Sequence, residues 1–114
     1  MPDCLFCRIV AREIPASIVC ETPLTLAFRD IHPIAPTHVL VIPKPHVGTI
    51  LGLDETQSDV IVALTRTIQD VARLENIQER GFRVVVNNGK DANQAVAHLH
   101  YHVLAGRKLG WPPG

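Results

Sequence analysis

The order of apolar patterns along this 114-residue chain predicts an α+β fold. Three short β-like segments come first, one long helical pattern follows, and two further β-like segments come last. The short segments have the apolar runs of strands, whereas the central stretch repeats its apolar residues at helical spacing. We therefore expect an antiparallel sheet of about five strands, with the long helix on one face and a short helix near the N-terminus.

Each predicted element has its own local signal. The short helix is predicted over 4–11, and the long helix over 54–74, where Asp54 is the N-cap and Gln57 its capping-box partner. The apolar face of the long helix consists of Val60, Ala63, Leu64, Ile68, Val71 and Ala72. Strands are predicted over 17–21, 24–29, 38–42, 82–86 and 98–104. The mostly aliphatic run 38–42 is typical of a strand that is buried on both faces.

Composition and charge restrict the class of protein. The chain has 11 Lys and Arg residues against 11 Asp and Glu residues, so its formal net charge is zero and direct binding to nucleic acid is not expected. Hydrophobic residues make up 46% of the sequence, which suits one globular domain over 1–114. No apolar stretch has the length of a bilayer span, and 1–12 makes a poor signal peptide. The odd number of cysteines, three, argues against a secreted disulfide scaffold and indicates a cytoplasmic protein with reduced thiols. Because no stretch could span a bilayer, a membrane partner is not expected.

Three histidines alternate near the C-terminus, at His98, His100 and His102. Alternate residues of a strand share one face, so the three imidazoles point the same way and the residues between them point to the core. Imidazole can be a nucleophile, a proton donor or a metal ligand near neutral pH. The alternative is a solvated polar face on an edge strand, but such a triplet arises by chance in only about 2% of chains with this many histidines.

The triplet continues into a motif, His-φ-His-φ-His-φ-φ, that resembles the motif of the histidine triad superfamily, or HIT superfamily. The chain looks like the nucleotide-binding Hint branch over nearly its whole length. The similar segments are Phe28-Arg29-Asp30-Ile31, the run 35–44, Val86-Asn87-Asn88-Gly89 and the final Trp111-Pro112-Pro113-Gly114. The related transferases have Gln at the third histidine, so His102 favours hydrolysis, and the final tetrapeptide favours Hint over the dinucleoside polyphosphate hydrolases.

The resemblance implies a purine nucleoside phosphoramidase that works through a covalent nucleotidyl-histidine. The catalytic residues would be His100, the nucleophile, with His102 and His38 at the phosphate oxygens or the leaving group. Asn87 and the backbone N–H groups of Gln94, Ala95 and Val96 would surround the phosphate.

The nucleoside would bind between an acidic residue and an apolar slot. Asp30 would accept the ribose hydroxyls, although a loop Asp is more often a turn former. The purine slot would be lined by Phe6, Ile9, Ile14, Phe28, Ile31 and Leu40. Without the resemblance, these apolar residues would be assigned to an ordinary core.

Two residues depart from the resembled pattern. Ala95 stands where the family often has a hydroxyl residue, and Asn93 stands where it usually has glycine. A hydroxyl that would protonate or position the leaving group is therefore missing, which affects the expected rate and leaving-group preference but not the nucleophile.

Cys4 and Cys7 have the spacing of half a tetrahedral zinc site. In some triad proteins, the site is completed by histidines that correspond here to His46 and His98, which would give a structural zinc with a Cys2His2 ligand set. A redox dithiol and a pair of small buried residues are the alternatives.

The resemblance also implies a homodimer in which two sheets join into one, with Trp111 reaching toward the partner's active site. The expected ligand is a purine nucleotide of the AMP or GMP type. A nucleotide-binding regulatory or scaffold protein with weak hydrolysis remains an alternative function, as does a dinucleoside polyphosphate hydrolase.

Overall fold

The computed structural model describes residues 3–114, which form one antiparallel sheet of five strands and two α-helices. Residues 1 and 2 of the predicted domain lie outside this described part. The helices are α1, Leu5–Val10, and α2, Ser58–Leu74. The strands are β1, Ile18–Glu21; β2, Thr25–Arg29; β3, Thr37–Pro43; β4, Arg83–Val86; and β5, Tyr101–Ala105. The predicted sheet and both helices are therefore confirmed, with ends that differ by a few residues.

The strand order is β1-β2-β3-β5-β4, so β3 lies at the centre of the sheet. Its alternate residues face two separate cores, as expected for a strand buried on both faces. Val39 and Val41 pack on the α2 side, whereas Leu40 and Ile42 pack on the α1 side. β5 pairs with β3 in a register that places Leu40 opposite His102. The histidine-bearing strand β5 therefore lies next to the central strand. Its His102 side chain lies on the face of the sheet that α2 does not cover.

Helix α2 packs its apolar face against the sheet. Its buried residues are Val60, Leu64, Thr67, Val71 and Ala72. Thr67 is a polar residue that the apolar pattern did not include, and its hydroxyl lies 2.6 Å from the hydroxyl of the equally buried Thr25. This hydrogen bond removes the cost of burying two polar groups, because each hydroxyl has a partner.

The N-terminus of the long helix differs in detail from the prediction. The capping box of Asp54 and Gln57 is present, but the turn that it caps is the 3₁₀ turn Glu55–Gln57. The α-helical turns begin at Ser58. Tightened first turns of this kind are common at helix ends.

The predicted start of the last strand, at His98, is wrong, because β5 begins at Tyr101. In the β3–β5 register, Leu99 would stand opposite Pro43, which has no N–H to continue the ladder. The Leu99 N–H instead donates to the Val47 carbonyl at 2.6 Å. The alternation of faces nevertheless persists, since Leu99 and Val103 are fully buried in the α2-side core.

No helix in the described part of the chain is long and apolar enough to cross a membrane.

Candidate functional site

A cavity of about 940 Å³ opens on the sheet face opposite α2. Its wall includes most of the residues expected to contact a nucleotide. These are Phe6, Ile9, Ile14, Phe28, Asp30, Ile31, His38, Leu40, Asn87, Ala95, Val96, His100 and His102. Folding thus brings together residues from α1, β2, β3, the loop before β5 and β5 itself.

His100 is buried in this wall, and its two ring nitrogens are distinguishable. Its Nδ1 lies 2.7 Å from the carbonyl oxygen of His98. A carbonyl can only accept, so Nδ1 carries the proton and Nε2 of the neutral ring has a free lone pair. The Phe6 ring packs edge-on against the imidazole, with 5.1 Å between centroids and an interplanar angle of 88°. The backbone therefore selects the tautomer that a histidine nucleophile requires.

His38 and His102 form a hydrogen-bonded pair whose proton positions can be assigned. The Ile34 N–H donates to His38 Nδ1 at 3.1 Å, so the proton of the neutral ring is on His38 Nε2. That nitrogen lies 2.9 Å from His102 Nδ1, which therefore accepts. The proton of His102 is then on Nε2, a buried atom that has no hydrogen-bond partner within residues 3–114. This N–H is a donor available to a ligand.

Burial also keeps both rings of this pair neutral. Desolvation lowers the pKa of His38 below its usual range, although the nearby Asp30 carboxylate opposes the shift. Burial, together with the charges that His100 and His38 would carry, lowers the pKa of His102 to about 4. At pH 7, His102 therefore acts through hydrogen bonding and not as a cation.

Asp30 has two roles in its loop. One carboxylate oxygen accepts the His32 N–H at 2.8 Å, which is the turn-forming role, and the other lies 3.4 Å from His38 Nε2. The nitrogens of His38 and His102 and this carboxylate lie close enough together to bind a cation. His38 does not suit metal binding, because a lone pair on its Nε2 would require a proton on Nδ1, where the Ile34 N–H already donates.

The loop before β5 is closed by Gln94. Its N–H donates to the Gly89 carbonyl at 3.1 Å, and its side-chain oxygen accepts the Gly89 N–H at 2.8 Å. Its side-chain nitrogen donates to the carbonyls of Gly48 and Val96. The prediction that the Gln94 N–H binds phosphate is therefore wrong, because that N–H is already used. The N–H groups of Ala95 and Val96 have no acceptor among the described residues, so they are available to a ligand.

The apolar slot has a buried floor and an open rim. Phe6, Phe28 and Leu40 belong to the α1-side core and also line the cavity, so the core and slot interpretations both hold. Ile31 is 85% exposed at the rim. Trp111 is 82% exposed and lies outside the cavity wall.

Two arginines were missed by sequence reasoning. Arg83 and Arg107 both line the cavity. Arg83 donates to the Gly110 carbonyl, and its guanidinium lies 5.8 Å from the Trp111 ring centre. Arg107 donates to the Ile34 carbonyl at 3.0 Å, which ties the C-terminal segment to the loop that precedes His38. Single charges in unpatterned positions have no sequence signal that would have revealed these roles.

A second cluster, of Cys4, Cys7, His46 and His98, lies beside the cavity. The distance from Sγ of Cys4 to Nδ1 of His98 is 3.3 Å, that from Cys7 to His46 Nδ1 is 3.3 Å, and that from Cys7 to His98 Nδ1 is 3.5 Å. Tetrahedral zinc with bonds of about 2.3 Å to sulfur and 2.0–2.1 Å to nitrogen places such ligands roughly 3.5 Å apart. His98 Nε2 lies 2.8 Å from the Pro43 carbonyl oxygen, so its proton is there and Nδ1 has the free lone pair. The donor set and the spacing both allow a zinc site.

His98 belongs to both sites. Its ring nitrogen faces the cysteine pair, and its carbonyl oxygen accepts the His100 Nδ1 proton. The third cysteine, Cys20, is half-buried against the α2-side core, apart from the cluster.

Comparison with known protein families identifies the domain. A family model described as "HIT domain" matches residues 11–109, which is most of the chain. The chain belongs to the HIT domain family. The match includes His38, His46 and all three alternating histidines, whereas Cys4 and Cys7 precede it.

Relatives of this HIT domain match it over nearly their whole length. An uncharacterized HIT-like protein of Synechococcus elongatus is 46% identical over 112 residues, which cover 98% of this chain and 97% of the relative. A protein of Brassica juncea named "14 kDa zinc-binding protein" is 43% identical over 115 residues, with 98% and 100% coverage. A structure described as a HIT family hydrolase from Legionella pneumophila has a TM-score of 0.95 at 44% identity and covers 98% of this chain and 100% of its own.

Proposed function

We propose that this HIT-domain protein is a nucleotide-binding hydrolase that cleaves the P–N bond of purine nucleoside phosphoramidates, such as AMP–amine conjugates or adenylylated lysine. The observation that carries the proposal is the 2.7 Å contact between His100 Nδ1 and the His98 carbonyl oxygen. It leaves a neutral imidazole with a free Nε2 on the wall of a cavity of nucleotide size.

The nucleoside half of the substrate is assigned to the apolar part of the cavity. The purine would lie against Phe6, Phe28 and Leu40, which are rigid because they also belong to the core. The carboxylate oxygen of Asp30 that faces His38 would accept a ribose hydroxyl. The zero net charge of the chain suits a small ligand held by local contacts better than a nucleic acid.

In the first step, His100 Nε2 forms a bond to the α-phosphorus and the P–N bond of the substrate breaks. The departing nitrogen takes up one proton from solvent and leaves as the free amine. The cationic nucleotidyl-imidazole keeps its Nδ1 proton, which the His98 carbonyl stabilises. The His102 Nε2–H, the Asn87 amide and the free N–H groups of Ala95 and Val96 would hold the phosphate oxygens.

In the second step, water adds to the phosphorus and the bond to His100 Nε2 breaks. The products are the nucleoside monophosphate and one proton, and the neutral ring returns to its starting tautomer. His102 remains neutral throughout at pH 7, because burial keeps its pKa low.

Zinc would be held by Cys4, Cys7, His46 and His98, where it would stabilise the N-terminal helix against the loop before β5. When bound, it would be a closed structural ion without an open coordination position. The name of the Brassica juncea relative, a zinc-binding protein, supports this proposal.

A second candidate is a nucleotide-binding regulatory protein whose hydrolysis is weak. Ala95 favours it, since the cavity wall there carries a methyl group instead of a hydroxyl. Turnover distinguishes the candidates, because a binding protein retains AMP without releasing amine.

The deciding experiment is an acid-quenched reaction of the purified protein with an AMP–alkylamine conjugate, analysed by mass spectrometry. We expect AMP as product and a transient adduct of one nucleotidyl group on the peptide that contains His100. The control, His100→Ala, should form no adduct while binding AMP within about tenfold of the wild-type affinity, because the nucleophile acts mainly in the transition state. Turnover by His100→Ala at the wild-type rate would overturn the mechanism.

A further inference from the structure

Asn93 has an unusual backbone conformation on the wall of the cavity. Its φ is 66°, in the left-handed region where glycine is the least costly residue and asparagine is among the few others tolerated. Asn93 lines the same cavity as His100, Asn87 and Ala95.

The turn around Asn93 is held rigidly from both ends. The Asn93 N–H donates to the Lys90 carbonyl at 3.0 Å, and Gln94 is bonded to Gly89 through both its backbone and its side chain. Gln94 also anchors the turn to Gly48. A side chain on such a turn is presented in a defined place, as a recognition group requires.

The Asn93 carboxamide has no hydrogen-bond partner within the described chain. This contrasts with Gln94, which uses both ends of its side chain, and with Asn88, whose side-chain oxygen accepts the Ile50 N–H at 2.7 Å. Two N–H donors and one acceptor of Asn93 therefore remain for a ligand.

We propose that the Asn93 carboxamide hydrogen-bonds the leaving group of the substrate and takes over the part of the hydroxyl that Ala95 lacks. The inference rests on the proposed function, since it assigns one residue of that site to the amine half of the substrate. Asn93 is solvent-exposed, so water competes with this contact and its contribution is smaller than that of a buried donor.

The test compares Asn93→Gly with two substrates. Glycine keeps the left-handed turn and removes only the amide, so we expect kcat/KM for an AMP–alkylamine to fall about tenfold. For an adenosine phosphorofluoridate, whose leaving group needs no proton, kcat/KM of the variant should stay within about threefold of the wild-type value. An unchanged kcat/KM for the amine, or an equal fall for both substrates, would overturn the proposal.

Asn76→Gly is the matched control. Asn76 also has a positive φ, of 56°, but it lies just after α2 and outside the cavity. The same chemical change there should leave both kcat/KM values as in the wild type, and thermal denaturation of both variants reports on folding.

A double-mutant cycle with Ala95→Ser tests whether the Asn93 carboxamide takes the place of a hydroxyl group at position 95. The serine should raise kcat/KM for the amine by no more than about threefold in the wild type but by about tenfold in Asn93→Gly, because the two donors would serve the same atom. Equal gains in both backgrounds would contradict a shared role.

Binding separates a failure of this inference from a failure of the proposed function. In a His100→Ala background, Asn93→Gly should reduce the preference for the AMP–amine over AMP about fivefold. If the wild type has no turnover, the phosphoramidase proposal fails, and this ratio still decides the role of Asn93. An unchanged ratio of the two affinities would overturn the proposed role of Asn93.

Discussion

His38 Nε2 lies 2.9 Å from His102 Nδ1, and this contact joins the rings of two adjacent strands, β3 and β5. The direction of the hydrogen bond is set outside the pair, by the Ile34 N–H that donates to His38. The result is an oriented donor on His102 Nε2 that is buried and points to no acceptor in residues 3–114.

Acid should destabilise the protein through His102. The folded-state pKa is about 4 against an ordinary value of 6.5, so between these values the unfolded chain binds more protons than the folded chain. The free energy of unfolding should therefore fall as pH falls from 6.5 to 4. In His102→Gln, this slope should be smaller by up to about 1.4 kcal/mol per pH unit. Denaturant unfolding at a series of pH values measures this slope. An NMR titration in which folded His102 titrates near pH 6.5 would contradict the prediction.

The purified protein should contain about one zinc ion per chain. Replacing Cys4 and Cys7 with serine should remove the metal and lower the free energy of unfolding by at least about 2 kcal/mol, or roughly 8 °C in melting temperature for a chain of this size. Cys20→Ser is the control, because Cys20 lies outside the cluster, and it should retain zinc. Metal analysis of protein never exposed to a chelator checks the occupancy, and a metal-free wild type would refute the site.

Asp30 should discriminate ribose from deoxyribose. Asp30→Asn should weaken AMP binding about tenfold, because a charged acceptor contributes roughly 1.5–3 kcal/mol to a hydrogen bond and exposure reduces that value. The nucleotide that lacks both ribose hydroxyls should bind the wild type and the variant almost equally. Calorimetry with both ligands measures the difference, and an equal loss for both would assign Asp30 to the support of His38 instead.

The protein should form a homodimer through the free edge of β4. Phe82 and Val84 are about 40% exposed there, whereas the other edge strand, β1, carries Glu21 with its ion pairs to Arg12 and Lys44. Val84→Glu should shift the protein to monomer in light scattering at micromolar concentration. Ile18→Glu, an equally exposed position on β1, is the control and should remain dimeric. A monomeric wild type would contradict the prediction.

The C-terminal tail should influence the leaving group from across that dimer. Trp111 lies outside the cavity wall of its own chain and is largely exposed. Deletion from Trp111 onward should change the ratio of kcat/KM between a bulky and a small amine conjugate about fivefold, with AMP affinity unchanged within twofold, because the tail would contact only the amine half. An unchanged ratio would remove the tail from substrate selection.

Several features of the fold and of the site could be predicted from local sequence because their causes are local. The alternation of His98, His100 and His102 on one face follows from the geometry of any extended chain. The capping box of Asp54 and Gln57 depends on residues three apart, so a sequence pattern is sufficient to find it. The spacing of Cys4 and Cys7 likewise predicts a metal-ligand pair, and folding brings two histidines to it.

The remaining features depend on contacts between distant parts of the chain. Nothing near His100 in the sequence indicates that Phe6 packs on its ring, and no pattern around Gln94 indicates that its N–H is already used by Gly89. The early end of the β3–β5 ladder depends on the register that places Leu99 opposite Pro43. Such partners are chosen by the packing of the whole domain.

The sequence by itself determined the fold class and the shared face of the triad, because these follow from residue type and spacing, and its resemblance to the HIT superfamily implied that His100 is the nucleophile. Only the tertiary structure decided which nitrogen of each imidazole carries the proton. The carbonyls of Pro43 and His98 and the N–H of Ile34 make that choice. The physical reason is that a neutral imidazole has two nearly equivalent tautomers, so a single backbone hydrogen bond, formed only after folding, selects between them.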